Sequence, residues 1–319
     1  MTNTQPRTSD RLVPLACLLG AGALIGLSTA LAKVATDDGL SPSSFLTWSV
    51  LGAAIVLGII GGVRRRLPRW SKQVAKYSMI AAVVSIVVPN LIFFSAVPRV
   101  GASFVALSIA FPPLYTYLGA LALRNEQFNL RRAAGVTIAF AGALLLAAFQ
   151  FSQPDAEVGW IMLTLTGPIV LAIGNLYRTI AWPQGLASDE LAPAMLAAGA
   201  VILIALSALP MFSLGVNVSD AGNIGVIAAQ ITTFCVQYWL YFILQQRGGP
   251  VYLSLLGSVA AVVGSAIAIV LLNETAPAGL VPAGVAIAIG ITLLTIGQPK
   301  PDTTATSSPP HTDRSRSGL

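Results

Sequence analysis

The stretch 99–126, RVGASFVALSIAFPPLYTYLGALALRNE, and its echo 247–274, RGGPVYLSLLGSVAAVVGSAIAIVLLNE, decide the fold. Arg99, Gly101, Asn125 and Glu126 return as Arg247, Gly249, Asn273 and Glu274, each 148 positions later, and Gly142 returns as Gly290. Each copy opens on a glycine turn and runs through an apolar stretch to an Asn-Glu pair. About 20 apolar residues let a helix cross roughly 30 Å of hydrocarbon. Ten such stretches fill the chain from Leu12 to Gly297. Five per half is an odd number, so the second half starts on the opposite side of the membrane from the first. The sequence therefore predicts an all-α integral membrane protein of ten transmembrane helices, arranged as two inverted five-helix repeats. Such repeats are a signature of secondary transporters.

Composition agrees. Of 319 residues, 55% are hydrophobic and 9% charged, with a mean hydropathy of +0.79. A soluble domain carries about 25% charge. Cys17 and Cys235 lie inside spans, without metal-ligand spacing or a secretory disulfide pattern, and read as apolar filler.

The expected spans are 12–34, 42–62, 77–97, 101–123, 130–150, 158–180, 190–212, 221–244, 250–272 and 276–297. They divide the chain into a cytoplasmic tail (1–11), a first repeat (12–150), an external linker (151–157), a second repeat (158–297) and a disordered cytoplasmic tail (298–319). Ala30-Leu31-Ala32 resembles a signal-peptidase site. The apolar stretch before it is longer than a signal core, and cleavage would remove one helix of a matched five, so the segment is read as a span.

Charge sets the orientation. With the N-terminus inside, sixteen of the 18 Lys and Arg fall on inner segments, and only Lys33 and Arg99 fall outside. That is a strong positive-inside bias. Both termini are expected in the cytoplasm, in a multi-pass protein of the cytoplasmic (inner) membrane. Asn129 suits a cap for the fifth helix, and Thr275 with Pro277 suits the start of the tenth.

These features resemble the drug/metabolite transporter superfamily, specifically its ten-helix, two-repeat EamA-type members. The likeness is carried by Phe111-Pro112-Pro113 through Leu123-Arg124-Asn125-Glu126, followed by Gly135 and Gly142. Its second-half counterpart is Leu271-Leu272-Asn273-Glu274, followed by Gly284 and Gly290. The resemblance implies a cavity between helices one to four and six to nine, with five and ten peripheral. It also implies substrates ranging from amino acids to drugs and nucleotide-linked sugars. One departure stands out: Pro112-Pro113 is matched by Ala260-Ala261, so the halves are not expected to move identically.

Polar residues in mid-span normally face the bundle interior. Gln230, Thr233, Gln237 and Tyr241 form one stripe at helical spacing, and Thr164, Pro168 and Asn175 form another that ends near Arg178. Asn90, Tyr115, Asn175, Gln230, Gln237, Tyr238 and Tyr241 are the expected substrate-binding residues. Pro89, Pro112, Pro113 and Pro168 are candidate hinges, since each removes a hydrogen bond to the carbonyl four residues back. Glu126 and Glu274 are candidate gating or proton-carrying groups, or else hydrogen-bond loop amides. Gly257, Ala261, Gly264 and Ala268 suit close helix packing.

No Asp, Glu or His lies centrally in a span, so a buried proton relay is not readable. Lys33, Arg178 and Arg247 sit at span ends, where long basic side chains snorkel to the interface. The core thus suits a neutral or zwitterionic, amino-acid-like metabolite, moved by alternating access and exported. The alternatives are an intramembrane lipid-active protein or lipid flippase, or a non-transporting receptor or scaffold. No HExxH, GxSxG or Walker motif is present, so the chain is not read as an enzyme, and no catalytic residue, metal site or cofactor is assigned. The expected partners are a small-molecule substrate and membrane lipid, without nucleic acid. A homodimer stays open, because the glycines of the fifth and tenth helices can pack internally or against another copy.

Overall fold

The structure, a computed structural model, describes residues 8–68, 71–122, 128–151, 157–210, 212–216, 220–247, 249–276 and 279–296. Most of both tails, most of the 151–157 linker, Arg124, Asn125, Glu126 and Pro277 lie outside these residues. All regular structure among the described residues is helical.

The first half contains α1 (Thr8–Asp37), α2 (Pro42–Val63), α3 (Lys72–Ala82), a π-helical turn (Val83–Val87), α4 (Val88–Val100), α5 (Ala102–Ser108), α6 (Pro112–Ala122) and α7 (Leu130–Phe151). The second contains α8 (Val158–Ile180), α9 (Ser188–Leu206), α10 (Ala221–Arg247), α11 (Gly249–Val270) and α12 (Leu280–Ile296). Six stretches are long and apolar enough to cross a membrane: Val13–Asp37, Pro42–Val63, Lys72–Val100, Ala102–Gly119, Val158–Arg178 and Ala221–Leu244. Glu190–Leu206, Leu256–Val270 and Leu280–Leu293 are apolar but shorter.

Local chemistry explains where the observed ends depart from the expected ones. α9 stops at Leu206 rather than 212, because Pro210 lies ahead and a residue before proline is driven out of the helical region. Ser207 and Leu209 close the helix with short turns onto Ile204 and Leu206 carbonyls. α12 begins at Leu280 rather than 276, because Gly279 has φ +80°, outside the helical range. Asn129 caps α7 as its position suggested, with Oδ1 accepting from the Arg131 and Arg132 amides at 3.0 and 3.3 Å.

The proline sites resolve in three different ways. Before Pro89 the chain winds into the π-turn, with the Val88 N–H reaching back to the Val83 carbonyl. The Asn90 side chain then donates to the Ile86 carbonyl at 2.7 Å. At Pro112 and Pro113 the helix breaks, and Ile109–Phe111 separate α5 from α6. There the Phe111 N–H takes up the Ser108 carbonyl at 3.2 Å in a tightened turn. At Pro168 α8 continues unbroken. α11, with Ala260 and Ala261 in the corresponding place, has no break.

Packing follows from small residues. The outer surfaces carry large apolar side chains such as Ile59, Val201, Val262 and Val281, all exposed. The interior holds many alanines and glycines that let backbones approach closely. A Cβ at Gly26 would stand 2.6 Å from the Gly264 nitrogen, where α1 crosses α11. A Cβ at Gly290 would meet the Gly135 carbonyl at 2.5 Å, and one at Gly142 the Ala283 carbonyl at 3.0 Å. These glycines therefore pack α7 against α12 within one chain. That pair touches the rest of the bundle chiefly through α6, α8 and α11. α1 packs on α10 and α11, α8 packs on α4 and α6, and α2 packs on α9.

Candidate functional site

Two ends of the bundle are defined by contacts between the halves. At one, Arg99 Nη1 meets Glu157 Oε1 at 3.1 Å, and the Arg99 guanidinium lies 5.9 Å from the Trp160 ring. A shallow depression there is lined by Thr36, Gly39, Ser41, Pro98, Arg99 and Glu157. At the other, the Tyr77 ring stacks on Tyr177 at 5.8 Å and meets the Trp182 edge at 6.2 Å.

Glu274 belongs to the Arg99 end. Beyond α11, Asn273 takes φ +51°, a left-handed conformation Asn tolerates better than most residues. This turn carries the Glu274 carboxylate to the start of α5, where Oε1 accepts from the Ala102 N–H and Oε2 from the Ser103 N–H, both at 2.8 Å. Helix N-termini leave amides without internal partners, and a carboxylate is a favourable cap for them. Both oxygens of this candidate gating or proton-carrying group are thus engaged by backbone. Its first-half counterpart, Glu126, lies outside the described residues.

The α10 stripe is real as a face, though its members do different things. Gln230 is buried and its Nε2 donates to Ser28 Oγ at 2.8 Å, tying α10 to α1. Thr233 bonds back to the Ala229 carbonyl at 2.8 Å. Gln237 is half-buried, and its Oε1 is enclosed with no hydrogen-bond partner. Tyr238 is buried edge-on against Phe234 at 5.9 Å. Tyr115 sits half-buried against the core. Asn90 directs its amide nitrogen to its own helix, as described above. Thr164 likewise bonds back to the Trp160 carbonyl at 2.7 Å.

The principal correction concerns Arg178. Its place near a span end predicts a snorkelling side chain, yet it is 5% exposed. Nη2 donates to Asn175 Oδ1 and to the Tyr241 hydroxyl, both at 2.6 Å, and the guanidinium lies 4.9 Å from the Tyr241 ring centre. Asn175, Arg178 and Tyr241 therefore form one cluster joining α8 to α10 near the Tyr77 end. Asn175 and Arg178 stand three residues apart, on one face of a helix. That spacing was the signal available in the sequence. Ser28 carries no sequence cue beyond being a polar residue in an apolar helix, while Tyr77, which beside the basic 64–76 connection suits the headgroup zone, is instead buried in the bundle.

Residues 13–148 match the EamA-like transporter family. That segment, the first five-helix stretch of the chain, is similar to EamA-type members of the drug/metabolite transporter superfamily. A WAT1-related protein of Arabidopsis thaliana is 23% identical over 110 residues, which is 34% of this chain and 31% of the relative. The match thus spans about a third of that relative's length. A solved crystal structure superposes with a TM-score of 0.60 over 91% of this chain and 98% of its own, at 21% identity. At that identity the likeness establishes a shared fold. It extends well beyond the segment matched by the EamA family.

Proposed function

We propose that this chain is an EamA-type secondary transporter that moves a small neutral or zwitterionic, amino-acid-like metabolite outward across the cytoplasmic membrane by alternating access. In this reading ten spans form two inverted five-helix repeats, with both termini in the cytoplasm. The Arg99 end then faces outward and the Tyr77 end inward.

The observation that carries the reading is an exchange symmetry in the packing. Moved by 148 positions, the rod Lys72–Val100 lands on 220–248, beside α10 at Ala221–Arg247. Likewise Ala102–Ala122 lands on 250–270, beside α11 at Gly249–Val270. Swapping the halves turns the contact of α1 with α10 and α11 into that of α8 with the α3–α4 rod and α5–α6, and α8 does pack on α4 and α6. α2 with α9, and α7 with α12, map onto themselves. Two halves with equivalent contacts supply two interchangeable arrangements, which is what alternating access needs.

The second support is chemical. Gln230, Gln237, Tyr241, Asn175 and Arg178 bring polar groups from α8 and α10 into an otherwise apolar bundle. Polar residues at membrane depth are costly and usually mark a substrate path.

The test is unbiased flux. Protein-containing and empty liposomes are loaded with a mixed metabolite pool, and each compound is followed by mass spectrometry with and without a pH gradient. Selective loss of a few solutes from the protein vesicles supports the reading. Inserted, folded protein that moves nothing, from broad pools and under imposed gradients, removes it.

A further inference from the structure

We infer that Arg178 is an anion-binding group and takes a carboxylate of the solute between α3, α8 and α10 at the Tyr77 end. This rests on the transporter reading and adds to it the chemical class of the ligand.

The first ground is the state of the charge. Arg178 is buried, and among the described residues no carboxylate pairs with it. Its hydrogen bonds go to neutral partners, Asn175 and Tyr241, and its Nε has none. A guanidinium stays charged at all accessible pH, so burial cannot be relieved by losing the proton. A buried cation without a counter-charge is unfavourable, and an arriving anion removes that penalty.

The second ground is what surrounds it. Tyr77, whose ring stacks at 5.8 Å on Tyr177, the α8 residue next to Arg178, has a buried hydroxyl with no hydrogen-bond partner. Arg178 Nε and the Tyr77 hydroxyl are thus two donors from two elements, α8 and α3, both lacking an acceptor. A carboxylate is acceptor-only and has two oxygens to offer. Arg178 Nη2 already serves Asn175 and Tyr241, so the carboxylate is met by Nε and the Tyr77 hydroxyl. A phosphate dianion calls for further cations. Arg132, the other buried guanidinium among the described residues, lies instead over Tyr117 beside the start of α7. Tyr77, Tyr177 and Trp182 provide aromatic walls for the organic part of a monocarboxylate.

One turn from Tyr241 on α10, the enclosed Gln237 Oε1 is an acceptor without a donor. It is complementary to an ammonium group, so a zwitterion satisfies both ends of the cluster. A rival account makes Arg178 only a clamp between α8 and α10 through Tyr241. The two differ in whether a carboxylate is felt.

The experiment titrates the purified full chain with benzoate and, separately, with benzamide, which keeps the ring and shape but lacks the charge. Tryptophan fluorescence and the thermal unfolding midpoint are read in detergent and in neutral phosphatidylcholine vesicles. Benzoate is expected to give a saturable response, with benzamide at least about tenfold weaker. Arg178→Gln should abolish the difference. Tyr77→Phe, which removes only a hydroxyl, should weaken benzoate several-fold and serves if Arg178→Gln fails to fold. Equal responses to both compounds, or a benzoate response that survives in Arg178→Gln, would overturn the assignment. So would loss of the response in vesicles doped with anionic phosphatidylglycerol, which would give the site to a lipid phosphate. Flux without any benzoate response leaves transport standing and removes Arg178 as the anion site. A benzoate response without flux of any solute supports the anion site and removes the transporter reading.

Discussion

Glu274 at the end of α11 and Ala102 at the start of α5 are joined across 172 residues by a 2.8 Å hydrogen bond, and Ser103 shares the same carboxylate. Gly101 makes the approach possible: its φ is +86°, and a Cβ there would stand 2.5 Å from Glu274 Oε1. The contact ties the two halves together at the Arg99 end. Hydrogen bonds to charged groups contribute about 1.5–3 kcal/mol each before solvent access is discounted. Glu274→Ala is therefore expected to cost roughly 2 kcal/mol, seen as a lower thermal midpoint in detergent. Glu274→Gln keeps one acceptor and should lose about half as much. Gly101→Ala should be at least as damaging as Glu274→Ala, because it combines backbone strain with a collision. A midpoint unchanged in Glu274→Ala would show that the amides find other partners.

Much of this was legible in the sequence because membrane insertion leaves a coarse signature. Apolar runs marked the rods, and Gly101 marked the turn between α4 and α5. The Asn-Glu pair was legible as a motif, while its use was not: only the fold shows that Asn273 makes the turn and Glu274 reaches α5. The prolines announced irregularity without specifying its kind. A missing N–H can be met by a π-turn, a break or a plain helix, and the choice depends on neighbours distant in sequence. Arg178 was misjudged because a rule about side-chain reach competed with packing. α10 places Tyr241 over it, and the side chain turns inward.

The π-turn supplies a second prediction. A Cβ at Gly174 would stand 2.5 Å from Ser85 Oγ and 2.8 Å from the Val84 carbonyl, so α8 rests directly on the turn. Backbone cannot retreat as a flexible side-chain tip can. Gly174→Val should destabilise by about 1–3 kcal/mol, the usual cost of overpacking, and Gly174→Ala by less. Thermal midpoints of the pair, compared with Gly159→Ala, where a Cβ meets nothing within 4 Å, provide the check. Equal midpoints for all three would remove the proposed contact.

Gln237 tests whether the polar cluster serves transport or packing. Its Oε1 is enclosed without a partner, so an apolar replacement of similar shape relieves an unpaired group. Gln237→Met is expected to keep or raise the thermal midpoint, within about 1 kcal/mol. Flux of the transported solute should nevertheless fall by roughly tenfold, equivalent to about 1.4 kcal/mol. Asn175→Ala should also lower flux at near-normal abundance. Unchanged flux in both variants would remove the polar centre from the transport path.

The Arg99–Glu157 pair calls for the opposite expectation. Its side chains are 52% and 41% exposed, and exposed ion pairs contribute about 0–1 kcal/mol. Glu157→Gln should leave the midpoint within roughly that range. A larger drop would mean that the pair is shielded from solvent by something beyond the described residues.

Orientation gives the last test. The connection carrying Arg64, Arg65 and Arg66 and the one carrying Ser213 join opposite ends of the bundle: Ser213 accepts from Ser44 Oγ at 2.7 Å near the start of α2, whereas Arg64 follows its end. Under the positive-inside bias the Ser213 connection faces outward. In a background with Cys17→Ala and Cys235→Ala, Ser213→Cys should react with a membrane-impermeant maleimide in intact cells. Arg65→Cys should react only after permeabilisation. Both positions are exposed, so a difference in labelling reports sidedness rather than burial. The reverse pattern would invert the proposed topology and place the Arg178 cluster at the outer face. Labelling of both sites in intact cells would be incompatible with α2 as a spanning helix.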